Sequence, residues 1–270
     1  MKLKTGALIN SYLRIVGSFV ILSIMFLQSA EAQEKVLYEG EELKYVVYYG
    51  FIELGEVKMK LVSIRESGNV SFVTASCEMR SYSGIPFVEL ESKFESDMIY
   101  KDGEIYSREF RAIDKKKEGT VEINYKFEYD SGFVKILKKF KGKVEIDKRM
   151  EFDKNLRFQD GLSLFYQARI NSFKTDSRMI PVLMNESETS VNYYFSSLPE
   201  EIDFEKRDID VLCVKCSGMA NFVGIFGLSG EFAGWFSKDY ARVPISAQMN
   251  VIVGNINLEL DSYTRKDWQP

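Results

Sequence analysis

Val243-Pro244-Ile245-Ser246-Ala247-Gln248-Met249-Asn250-Val251-Ile252-Val253 sets apolar Val243, Ile245, Ala247, Met249, Val251 and Val253 against polar Ser246, Gln248 and Asn250. A period of two belongs to a strand with one face buried and the other wet. Gly254-Asn255 follow as a two-residue turn, and Ile256, Leu258 and Leu260 run back with the same alternation, so the stretch reads as an antiparallel hairpin. Outward along the chain the pattern recurs. Val57, Met59 and Leu61 oppose Lys58 and Lys60, and Val121, Ile123, Tyr125, Phe127 and Tyr129 oppose Thr120, Glu122, Asn124, Lys126 and Glu128. Val144, Ile146, Met150 and Phe152 oppose Glu145, Asp147, Arg149 and Glu151. Lys101-Asp102-Gly103, Asp130-Ser131-Gly132 and Gly142 mark turns between such runs. The gaps are too short for crossover helices, so the strands are expected to be antiparallel.

One segment departs from this period. Leu162, Phe165, Tyr166 and Ile170 recur at helical spacing behind Asp160, a suitable N-cap. The expected fold is therefore all-β with one short helix: a large curved antiparallel sheet, an open barrel or clam-like shell, with the helix packed on it or plugging its end. Strands near ten residues suit such a shell around an apolar interior better than a sandwich.

Residues 1–32 read as an export signal. Lys2, Lys4 and Arg14 form a positive n-region, the 13 residues Ile15 to Leu27 an apolar stretch, and Ala30-Glu31-Ala32 a small-x-small cleavage pattern before Gln33. That stretch is short of the roughly 20 residues needed to span a bilayer. Residues 33–270 then form a single β-rich domain, with no Pro-, Gly- or Ser-rich linker and no repeat. The whole chain carries a formal charge of −4, and loss of Lys2, Lys4, Arg14 and Glu31 takes it to −6. A mildly acidic exported protein has no electrostatic reason to bind nucleic acid.

The chain contains no histidine, which removes the commonest general base and the commonest metal ligand together. Cys213-Val214-Lys215-Cys216 has the spacing of a redox or zinc motif, but Asp210 to Gly218 reads as a strand. On a strand, positions i and i+3 face opposite sides, so the two sulfurs diverge. Cys77 shares a face with Val73, Ala75 and Met79, and all three thiols are expected to be buried and inert; a disulfide to Cys77 stays open as the alternative. Glu89, Glu91, Glu95 and Asp97 alternate with Leu90, Phe94 and Met98 and read as a solvated strand face rather than a sugar-cleaving acid pair. No Gly-x-Ser-x-Gly nucleophile elbow appears: Ser229 lies between Leu228 and Gly230, and Glu231 stands where the second glycine would be. No catalytic residue, metal site or cofactor is expected.

Two apolar segments beside glycine or proline stand out: Phe222-Val223-Gly224-Ile225-Phe226-Gly227-Leu228 and Ser83-Gly84-Ile85-Pro86-Phe87. One reading makes them loops packed on the core; the other makes Phe222, Ile225, Phe226, Leu228, Ile85 and Phe87 the mouth of an apolar binding site. Lys135, Lys138, Lys139, Lys141 and Lys143 either protect an edge strand or face anionic lipid headgroups.

Gly40-Glu41-Glu42-Leu43-Lys44-Tyr45 with Gly55-Glu56, then Asp160, Ser163, Tyr166 and Arg169, then Trp235-Phe236-Ser237-Lys238-Asp239, Arg242-Val243-Pro244-Ile245 and Gly254-Asn255-Ile256-Asn257-Leu258-Glu259-Leu260 form an ordered set. In that order they resemble the exported bacterial family known as domain of unknown function 3108, across nearly all of the chain beyond the signal. The resemblance implies an envelope location and a β-rich fold similar to the half-barrels that carry lipoproteins. It implies no activity and no catalytic residue.

Together these readings point to an exported, periplasmic or envelope binding module that holds a lipid or acyl chain, with a lipid, a lipoprotein or other envelope proteins as partners. A protein–protein interaction or assembly factor with a filled core is the alternative, because a core and a ligand cavity use the same residue types. An outer-membrane β-barrel is the third reading. Against it stand Pro270, which cannot close a strand ladder, and the Lys and Glu crowding the polar faces.

Overall fold

The computed structural model describes residues 36–84, 90–224, 229–251 and 254–270. Among them the alternating runs all become strands: β1 (Glu42–Tyr49), β2 (Ile52–Ser67), β3 (Val70–Ser81), β4 (Glu91–Lys101), β5 (Glu104–Lys116), β6 (Gly119–Glu128), β7 (Phe133–Phe140), β8 (Lys143–Glu151), β9 (Arg178–Met184), β10 (Ser187–Phe195), β11 (Glu200–Phe204), β12 (Ile209–Ala220), β13 (Gly230–Ser237), β14 (Pro244–Val251) and β15 (Gly254–Tyr263). They form one antiparallel sheet ordered β8-β7-β6-β5-β4-β3-β2-β1-β15-β14-β13-β12-β10-β9, with β11 beside the start of β12. The β14–β15 hairpin forms as expected, but its register differs from the one read from the sequence: Val251 pairs with Gly254 and Asn250 with Asn255, so Gly254-Asn255 open the returning strand instead of forming the turn.

The hydrogen-bonded ladder does not close. The sheet instead curls until its edges are joined by side chains and one crossing segment. Glu186, in the β9–β10 turn, accepts from Lys138 of β7 (3.3 Å) and Tyr125 of β6 (3.4 Å), and its carbonyl accepts from Lys148 of β8 (2.8 Å). Between β8 and the helix, the Phe158 carbonyl accepts from Ser107 N of β5, while Gln159 bridges in parallel to Val182 of β9.

The helix, α1 (Gly161–Asn171), lies on the inner face of β3, β4 and β5. Asp160 caps it, accepting from Leu162 N and Ser163 N at 2.8 Å each, while the Ser163 hydroxyl accepts from Asp160 N. Leu162, Tyr166 and Ile170 pack with Leu43, Leu61, Val73, Ala75 and Met98 into the main core. On the opposite side, Leu164 and Ala168 meet Val191, Tyr193, Val214 and Cys216. The helix therefore fills the inside of the curl.

The outward faces are charged. Lys44 pairs with Glu56, Lys58 with Glu42, Arg80 with Glu56, and Arg111 with Glu95 and Asp97 across β1–β5. Glu91, Glu95 and Asp97 thus belong to a cross-strand ion-pair ladder on the wet face; Glu89 lies outside the described residues. Cys77, Cys213 and Cys216 are free and buried, the last two on opposite faces of β12.

Candidate functional site

The two ends of the curled sheet differ. At one end lie the β1–β2, β3–β4, β5–β6, β7–β8, β9–β10, β12–β13 and β14–β15 connections, here called the turn end. At the other, residues 36–41 and 264–268 meet the β13–β14 loop and the last turn of α1. That end is sealed by charge. Glu41, Arg169 and Arg265 are all essentially inaccessible to solvent. The Arg169 guanidinium forks onto the Glu41 carboxylate, with Nη2 at 3.0 Å from Oε1, and the same oxygen lies 3.2 Å from Arg265 Nη1. Arg169 also donates to the carbonyls of Ala241 (2.9 Å) and Arg242 (3.2 Å). Burial works against the Arg169 cation, but the Glu41 carboxylate outweighs it and holds the pKa above its ordinary value.

A second layer supports this seal. Arg242 donates to the carbonyls of Ile170 and Arg169 at the helix C-terminus, where a cation is favoured, and burial draws its pKa down to about 10. Asp239 accepts from Ala241 N, Arg242 N and the Trp268 indole at 2.8 to 3.0 Å. At the helix N-terminus burial raises the Asp160 carboxyl, against the Ser107 and Ser96 hydroxyls and the amides of Ser163 and Leu162, which hold it back.

Toward the turn end the inner face changes character. Near the sealed end Leu61, Val73, Ala75, Met98 and Ile105 are fully buried, whereas Leu54, Met79, Phe110, Ile123, Met249 and Leu258 are only partly so. The four residues of α1 left part or wholly accessible are Gly161, Leu164, Phe165 and Ala168. At 100° per residue these four form a single small and apolar stripe. Leu164 and Ala168 of this stripe pack on the β9–β10–β12 cluster and Phe165 on the main core, so the stripe is part-covered, and the less covered inner face lies toward the turn end. Burial pushes the Cys77, Cys213 and Cys216 thiols up to about 12, and among the described residues no group of three or more carboxylates and thiols converges to hold a metal.

Of the residues expected to shape a mouth, Phe222 is half-buried against the β9–β10–β12 part of the core. Ile85, Phe87, Ile225, Phe226 and Leu228 lie outside the described residues. The strand ends that flank them, Ser81 and Glu91, Ala220 and Gly230, are at the turn end. The sequence reading missed Gly161, Leu164 and Ala168, which its helical spacing could have revealed as the face opposite Leu162, Tyr166 and Ile170. It also missed Arg265, whose pairing with Glu41 spans 224 positions and leaves no local pattern.

A family model for proteins of unknown function, DUF3108, matches residues 44–261. The chain belongs to the DUF3108 family. No curated protein matches it. Among solved structures, this DUF3108 chain is similar to a β-barrel-like protein of domain of unknown function DUF1849 from Brucella abortus, at 11% identity and a TM-score of 0.52, covering 85% of this chain and 98% of that one. That likeness bears on the fold alone, and it agrees with the open, barrel-like sheet. More distant are a Parabacteroides distasonis protein taken for a lipoprotein (9% identity, TM-score 0.37, 84% and 96% covered) and a Bacteroides fragilis protein taken for an exported one with a YmcC-like fold (8%, 0.36, 84% and 97%). Among the described residues of the DUF3108 chain, no helix is long and apolar enough to cross a membrane.

Proposed function

We propose that this protein is an exported, non-catalytic binding module of the bacterial envelope that takes the apolar part of a lipid or acyl chain at its turn end. The observation that carries the reading is the inner face toward the turn end, where Leu54, Met79, Phe110, Ile123, Met249 and Leu258 are only partly covered. A core packed for stability alone would cover it, because apolar surface left to water forfeits about 25 cal/mol per Å². The sealed opposite end supports the same reading, since it leaves one way in. The charged outer faces of β1–β5 argue against lipid contact around the barrel wall, so the outer-membrane barrel is set aside.

Each buried CH₂ contributes about 0.8 kcal/mol, so about ten methylenes match the 8.2 kcal/mol of a micromolar complex before ordering costs. The test is titration of a fluorescent fatty acid into the purified protein, alongside native mass spectrometry of protein taken from its own envelope. Met249→Trp, on the part-exposed inner face toward the turn end, is expected to weaken binding at least tenfold while the thermal unfolding curve stays near wild type. Absence of any bound lipid, or a Met249→Trp protein that binds as well as wild type, defeats the proposal in favour of a protein-interaction role.

A further inference from the structure

The outer face of the sheet is not uniform. Across β1–β5 its charged side chains pair with one another from strand to strand. Across β10, β12, β13 and β14 the same face carries a groove of about 480 Å³, a size that suits a small ligand. Residues paired on neighbouring strands share a face, so the register builds this groove row by row. Its floor is Ser217 opposite Ala233, two small side chains, with Tyr194 closing the row on β10 and Gln248 on β14. One wall is Lys215 with Trp235, and the other is Met219 with Asn192 and Glu231. Three strand spacings set Tyr194 and Gln248 about 14 Å apart. α1 packs on the opposite face of these strands, against Val191, Tyr193, Val214 and Cys216, so the groove is separate from the inner face.

The Lys215–Trp235 wall is fixed from within the fold. The Lys215 ammonium lies 5.1 Å from the centre of the Trp235 ring, and the indole donates to Glu200 of β11 at 2.6 Å. Other polar groups of the groove are left free. Among the described residues the side chains of Asn192, Tyr194 and Ser217 make no hydrogen bond, and Tyr194 is 52% exposed. Asn192 Oδ1 is covered from water and still accepts nothing, a state native folds avoid unless a further partner is supplied.

These features narrow the occupant. The two charged residues of the groove, Lys215 and Glu231, cancel, so it has no net pull on an ion. A lipid chain would cut off the amides and hydroxyls from water without replacing it. A peptide cannot be added as a strand, because β10, β12, β13 and β14 are each paired on both sides. A sugar meets each feature. Its hydroxyls donate and accept, as do the amides of Asn192, Gln248 and Asn250 and the hydroxyl of Ser217. Its C–H face can lie on the Tyr194 ring, which offers an apolar face and a polar tip. We propose that this groove binds a neutral oligosaccharide, with one ring over Ser217 and Ala233 against Tyr194. The site is independent of the lipid reading, being on the other side of the same strands.

The experiment is isothermal titration calorimetry of the purified protein with two neutral trisaccharides, maltotriose and tri-N-acetylchitotriose. Wild type is expected to bind at least one of them with a dissociation constant at or below about 1 mM. Tyr194→Ala, which removes the stacking ring, and Ala233→Trp, which fills the floor, should each weaken binding by about tenfold or more. Lys58→Ala, on the ion-paired outer face of β2, should leave it unchanged. Tyr194 lies outside the core, so an unaltered thermal unfolding curve is expected for Tyr194→Ala, and its fatty-acid titration should match wild type. No binding of either trisaccharide at millimolar concentration, undiminished binding by Tyr194→Ala, or a Lys58→Ala loss as large as that of Tyr194→Ala overturns the inference.

Discussion

Replacing Glu41 with glutamine should unfasten the sealed end of the barrel. In the folded protein this carboxylate is the shared partner of two guanidiniums, Arg169 and Arg265, neither of which reaches solvent. Glutamine keeps the shape and offers one carbonyl oxygen, but it strands the Arg169 cation without its carboxylate, while Arg265 keeps Asp267. Breaking a buried pair in this way costs about 3–5 kcal/mol, because the stranded charge keeps its desolvation penalty and loses its partner. Against a domain stability of about 5–15 kcal/mol, that is about a fifth of the total or more. Urea unfolding followed by tryptophan fluorescence is the suitable assay, since Trp268 is buried in the same end and donates to Asp239. Arg169→Met in the Glu41→Gln background removes a charge already stranded, so the double variant should lose less than the sum of the singles by more than about 1 kcal/mol. A Glu41→Gln protein within about 1 kcal/mol of wild type, or strict additivity in the cycle, would show that the triad is not what closes this end.

Two further outcomes follow from the seam and the thiols. Glu186→Ala removes the acceptor for Lys138 and Tyr125 and should cost about 1–3 kcal/mol, with amide exchange accelerating in β9 and β10 and not in β2–β4; unchanged exchange there would place the closure elsewhere. Burial pushes Cys77, Cys213 and Cys216 up to about 12, above the unfolded value near 8.5, so their contribution is complete below about 8.5 and declines as pH rises toward 12. Stability should fall between about pH 8.5 and 10 by up to 1.4 kcal/mol per unit for each thiol, a slope that Cys77→Ala reduces by about a third; a thiol reagent that labels native protein rapidly at pH 8 would contradict their burial.

The strands were legible because a period of two survives in each of them. At β6, Tyr125 and Phe127 are buried as the alternation implies, while Ile123 and Val121, on the same face, are half-buried because they lie nearer the turn end. Alternation identifies a face and does not say how much of that face is covered. The helix was legible from its buried side, and Asp160 caps it as its residue type suggests. Lys148 shows the limit on the polar side. It sits on the inner-facing row of β8, between Ile146 and Met150, and looks like a break in the pattern; its purpose is clear only once the sheet has curled and brought the Glu186 carbonyl within 2.8 Å. The same holds for Arg169. On a helix whose other buried residues are mostly apolar, a lone arginine has no visible partner until residues 36–41 and 264–268 come together around it.

The residues that carried the family resemblance converge unevenly on this architecture. Glu41, Arg169, Asp239 and Arg242 all belong to the sealed end, where they tie residues 36–41, α1 and the β13–β14 loop into one charged lock with Arg265. None of them lines the accessible stripe of α1 or the turn end. What those positions encode is therefore how one end of the curled sheet is shut. Shutting one end with buried charge is costly unless every partner is present, and it confines any ligand to the other end. On the function proposed above, the choice of ligand would rest with residues away from the lock: Phe165 on the helix, Met79, Phe110 and Met249 on the inner face, and the apolar sequence segments 83–87 and 222–228. Exchanging those segments between two members of the family should transfer ligand preference, whereas exchanging residues of the lock should change stability alone.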